Sequence, residues 1–133
     1  MQAIRVVVVE RDDGVRAQLA ARLRELGVAP VCATADLEDA LDLCAAQAPQ
    51  LLLCGLPVGL PDCLGLLHGV AALKPAPAVA FHGADSDIDQ LETACLNLGL
   101  RYLGLLAAPA SQARLQRMVG QLRAFPADRE ARS

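Results

Sequence analysis

The chain has 133 residues, 54% of them hydrophobic and 20% charged, which suits one domain with a real core and excludes a disordered chain. The formal net charge is -3 and Lys74 is the single lysine, so broad binding to a nucleic-acid backbone, which needs clustered cations, is excluded. The start, MQAIRVVVVERDD, has no basic leader and its apolar run is too short to span a membrane, so a cytoplasmic protein with no membrane contact is expected.

Ile4 to Val9 is a β-branched run that fits a strand covered on both faces. Asp12 or Asp13 then offers an N-cap to a helix carrying Val15, Leu19, Leu23 and Leu26, which Gly27 stops. Val28 to Ala33 reads as a weaker strand, placed at an edge by Pro30. Asp36 with Asp39 resembles a capping pair for the next helix, whose stripe is Leu37, Ala40, Leu41 and Cys44 and which Pro49 ends.

Leu51 to Cys54 is a third strand, followed by a loop rich in Gly and Pro from Gly55 to Pro61. Asp62 is the expected cap of a helix to about Leu73, and Ala78 to His82 is the fourth strand. A helix from about Ile88 to Leu98 and a strand from Leu100 to Leu106 follow. Pro109 and Ser111 open a last helix with Leu115, Met118, Val119 and Leu122 on one face. One domain is expected over residues 1–124, and FPADREARS at 125–133 reads as a charged tail or the start of a linker.

Five strand–helix units predict an α/β fold, a doubly wound parallel sheet with helices on both faces. Ligands of such sheets bind at the carboxyl ends of the strands, here after Val9, Cys54, His82 and Leu106. The five cysteines are odd in number, form no C-x-x-C, and lie in or beside apolar segments, so reduced, buried thiols are expected. His68 and His82 supply no paired ligands, and neither a metal nor a cofactor is expected.

RVVVVERDDGVRAQLAARLRELG, LLLCGLPVGLPDCLGLL and LGLLAAPAS resemble the opening strand with its acidic pair, the phosphorylation loop, and the Lys-Pro turn of receiver domains of response regulators. The resemblance runs from about Ile4 to Leu122 and implies a CheY-like, flavodoxin-type sheet of order 2-1-3-4-5. A working receiver holds a magnesium ion with an acidic pair and an acceptor aspartate, and uses a Ser or Thr and a Lys on the phosphoryl group. The resemblance puts the acidic pair on Glu10 and Arg11, with Asp12 next to it. The acceptor falls on Gly55, the hydroxyl on His82 and the lysine on Ala108. Arg11 is expected to take part of the metal's place and pair with Glu10 or Asp12, and His82 to bond locally.

The chain is therefore expected to be no enzyme but a pseudo-receiver without an acceptor aspartate, binding a protein partner in bacterial signalling without phosphorylation. That partner is a signalling protein, the chain's own effector domain, or a second copy. The resemblance puts the interaction face on about Ile88 to Leu122, with Gln90, Arg101, Tyr102, Gln112 and Arg114 on it, Tyr102 near the family's switch position. The alternative is a small-ligand sensor that uses space left by Gly55 and Ala108.

Overall fold

The structure, a computed structural model, describes residues 4–124. Ten elements alternate: β1 (Val6–Val9), α1 (Asp13–Glu25), β2 (Val31–Thr34), α2 (Leu37–Gln47), β3 (Leu51–Gly55), α3 (Leu60–Ala71), β4 (Ala78–His82), α4 (Ile88–Asn97), β5 (Tyr102–Leu106) and α5 (Gln112–Ala124). The strands form one parallel sheet of order β2-β1-β3-β4-β5, as expected. The charged tail expected at 125–133 lies outside the described residues.

Period-two alternation sorts the strand residues between two core layers. Val6, Val8, Leu51, Leu53, Ala78 and Ala80 pack under α1 and α5 with Leu19, Leu23, Leu115, Met118 and Leu122. Val7, Val9, Leu52, Cys54, Val79 and Phe81 pack on the other face with Ala40, Cys44, Cys63, Leu67, Leu91 and Cys95 from α2, α3 and α4. This is why the central strands read as unbroken apolar runs: every residue of β1, β3 and β4 is buried. Burying each Leu or Val contributes about 1.5–3 kcal/mol.

Element ends differ from the sequence reading by one to three residues, for local reasons. Ile4 is buried but precedes the strand ladder, its carbonyl accepting from Ala29 N at 3.1 Å. Pro30 donates nothing, and β2 starts after it at the sheet edge. Asp12 caps α1, accepting from Val15 N at 2.9 Å. Asp62 does not cap α3; Gly59 is the cap residue, and Asp62 lies inside the first turn behind Pro61. All five cysteines are free, and four are buried, with Cys32 on the edge strand half-buried. No helix among the described residues is long and apolar enough to cross a membrane.

Candidate functional site

Parallel pairing aligns the carboxyl ends of the inner strands. Val9 pairs with Cys54, Gly55 with His82, and His82 with Leu106. The sheet thus gathers Glu10, Arg11, Asp12, Gly55, His82 and Ala108 from four different elements onto one rim.

Glu10 is held from both ends. Its N–H donates to Thr34 O at 2.9 Å, and its carbonyl accepts from Arg16 Nη1 at 2.9 Å. The carboxylate turns inward: Oε2 accepts from Asp12 N at 3.0 Å, and Oε1 lies 3.9 Å from His82 Nδ1. There it lies over Gly55. A Cβ on Gly55 would stand 2.6 Å from Glu10 Cδ and closer still to Oε1. Real Cβ contacts do not come so close, so the carboxylate fills the place of a side chain at 55. The space expected at Gly55 is therefore occupied.

Gly83, next along the rim, is required by packing, because there the clash is with backbone and not with the end of a flexible side chain. A Cβ there would meet Leu56 O at 2.5 Å, at a φ of +115° that side chains rarely adopt. This close approach lets Leu56 N donate to His82 O at 2.7 Å and locks the loop after β3 onto β4.

Two expectations are corrected. Arg11 makes no ion pair with Glu10 or Asp12 among the described residues; Glu10 is turned over Gly55, and Asp12 accepts from Val15 N through Oδ1. Exposed instead, Arg11 lines a groove of about 660 Å³ with Asp36, Glu38, Leu41, Asp62 and Leu66, between α2 and α3. His82 is only 3% exposed, yet its Nδ1 has no hydrogen-bond partner, so the local bond expected there does not form. Burial lowers the His82 pKa below the usual range, and the Glu10 carboxylate pulls weakly the other way. At neutral pH the ring is uncharged beside a largely buried carboxylate.

Ala108 is exposed and borders a cavity of about 200 Å³ with Val15, Gln18, Leu19, Arg22, His82, Pro109 and Ala110. The neighbouring thiol of Cys54 is buried and held protonated, first by its hydrogen bond to Cys63 and then by burial, which suits a core residue and not a nucleophile.

These groups do not fit a magnesium ion. Arg11 brings a cation, Asp12 Oδ1 is a helix cap, and Glu10 remains as one carboxylate packed on Gly55. No three His, Cys, Asp or Glu side chains able to hold a metal come together among the described residues.

Residues of the expected interaction face are scattered in role. Gln90 on α4 is exposed, as is Arg114 on α5. Arg101 is half-buried and donates from Nη2 to Gln121 O at 3.0 Å. Gln112 donates from Nε2 to Arg22 O at 3.2 Å, which ties it to α1. Tyr102 is half-buried, its ring centroid 5.9 Å from that of Phe81. Its hydroxyl is buried with no well-formed hydrogen bond, and burial, with Glu92 beside it, raises its pKa.

Sequence reasoning missed two surface leucines, Leu96 on α4 at 68% exposure and Leu105 on β5 at 37%. Leu105 borders a shallow groove of about 170 Å³ with Leu103, Arg114, Arg117 and Met118. An apolar residue in a strand or helix does not announce which side it faces. The filling of Gly55 by Glu10 also left no sequence signal, because the two meet only through β1–β3 pairing.

No family model matches the sequence, and no curated protein does. Solved structures match it closely in shape. The receiver domain of an HD domain-containing protein from Pseudomonas fluorescens superposes with a TM-score of 0.76 at 19% identity, covering 92% of this chain and 96% of that one. The receiver domain of the sensor histidine kinase PA1611 from Pseudomonas aeruginosa, with a magnesium ion in its cleft, gives 0.73 at 20%, covering 93% and 100%. A response regulator from Colwellia psychrerythraea gives 0.73 at 19%, covering 96% and 99%. By its strand order, its five helices and these superpositions, the chain has the fold of response regulator receiver domains.

Proposed function

We propose that this chain is a pseudo-receiver: a protein-binding module of bacterial signalling that works without phosphorylation and without catalysis. The observation that carries the reading is the Glu10 carboxylate lying in the space a side chain at Gly55 would need. A receiver's acceptor carboxylate is its nucleophile. At Gly55 there is none, and the occupying carboxylate has a negative charge that repels a phosphoryl donor. Arg11 in the acidic pair and Ala108 in place of a lysine support the same reading, since transfer needs a metal and a cation to neutralise the phosphoryl oxygens.

A binding role then falls to the surface. Leu105 on β5 borders a groove with Leu103, Arg114, Arg117 and Met118, and this mixed apolar and basic surface is the part of the expected face that a partner protein would cover. That partner is a signalling protein, an effector domain, or a second copy. With no phosphoryl group to favour one state, binding is set by concentration alone.

Incubation with acetyl phosphate and magnesium, read by intact mass, tests the proposal. The expected outcome is an unchanged mass; a stoichiometric gain of one phosphoryl group would overturn it.

A second reading, small-ligand sensing, draws support from the cavity of about 200 Å³ beside Ala108, the one part of the expected open space that Glu10 does not fill.

A further inference from the structure

The cavity at Ala108 differs in chemistry from the rest of the rim. Val15, Leu19, Pro109, Ala110 and the Ala108 methyl make most of its wall. Its polar groups are Gln18, Arg22 and His82, so no carboxylate borders it and Arg22 is its permanent cation. Arg22 spends Nη1 on Ala110 O, which orients the guanidinium between α1 and the start of α5. A guanidinium has five N–H donors in a fixed fork suited to a carboxylate, so donors remain. Arg22 is half-buried, whereas His82 is buried. Charge therefore sits at the more open side and the neutral imidazole at the inner side. Beyond the ring lies Glu10, 3.9 Å from Nδ1, which repels an anionic group from the inner end.

We infer that this cavity binds a small monocarboxylate, its carboxylate on Arg22 and its apolar body against Leu19, Ala108 and the His82 ring. Apolar cavities of about 150 Å³ hold benzene, so one of about 200 Å³ takes a body of benzoate or butyrate size. An ammonium ligand is disfavoured by Arg22, and a larger acid by the volume. Gln18, exposed on α1, adds an amide donor near the mouth. The inference rests on the ligand-sensing reading and names its ligand class; the interaction reading stands apart from it.

The test is titration of the isotope-labelled chain with benzoate, butyrate, benzylamine and benzyl alcohol, followed by amide shifts. Benzoate and butyrate are expected to give saturable shifts confined to residues 15–22 of α1, His82 and residues 107–112. Arg22→Gln should weaken benzoate by about tenfold or more, the range for hydrogen bonds to a charged group. Ala108→Leu, which leaves Arg22 untouched and fills the cavity, should abolish the shifts while the spectrum stays that of a folded domain. If benzylamine or benzyl alcohol binds there as well as benzoate, or if Arg22→Gln changes nothing, the carboxylate inference falls and ligand sensing survives. If none of the four gives saturable shifts at this cavity, both fall.

Discussion

Glu10 and His82 show how one pair of side chains sets the character of the rim. Each is largely buried, they stand 3.9 Å apart, and the imidazole has an unpartnered nitrogen. Burial lowers the His82 pKa in the folded chain, while the unfolded value is ordinary, about 6.5. The folded state therefore binds the proton less well than the unfolded one. The resulting stability is fully present above the ordinary histidine range and is lost as pH falls through it, until the lower folded pKa is passed. Urea unfolding across that range should show stability declining with acid, and His82→Gln should flatten the decline. A profile unchanged by His82→Gln would assign the acid sensitivity to other groups.

Among the elements, α1 does most to shape the site. Its N-cap Asp12 sits between Glu10, whose carboxylate accepts the Asp12 N–H, and the first turn, whose Val15 N–H it accepts. Arg16 reaches back to Glu10 O and also pairs with Asp13 at 2.6 Å. Arg22, farther along, binds the α5 entry. Asp12→Ala should cost about 1 kcal/mol, the usual loss for an acidic N-cap, measured by chemical denaturation. Because the Glu10–Asp12 contact uses the backbone N–H, the carboxylate should stay over Gly55 in that variant. A loss near zero would mean that water replaces the cap without penalty.

The whole molecule is one sheet with a core on each side. Leu52 and Leu53 are neighbours in sequence but belong to opposite layers, Leu52 under α2–α4 and Leu53 under α1 and α5. Both are fully buried. Truncation of either to Ala should cost about 2–5 kcal/mol. If the sheet couples the layers, both variants will shift one cooperative transition, by circular dichroism and by calorimetry alike. Two separated transitions in either variant would show that the layers unfold independently. The comparison is informative because the two deletions are chemically identical and share few partners.

What the sequence determined by itself follows from short-range rules. Unbroken apolar runs at β1, β3 and β4 gave buried parallel strands, and an acidic cap at Asp12 or Asp13 and Pro30 at the edge were legible from the residues alone, the structure choosing Asp12. Residue identity alone also shows that Gly55 and Ala108 bring no functional group to the rim. The tertiary structure decided what fills the places they leave. Glu10 reaches Gly55 only because β1 pairs with β3, and Arg11 makes no ion pair with Glu10 or Asp12 among the described residues. The cavity at Ala108 needs α1, β4 and the β5–α5 loop together. Such contacts join residues 26 or more apart in the chain, from His82 to Ala108 at the least. Side-chain direction at a strand end is set by packing across the sheet, which no local pattern encodes.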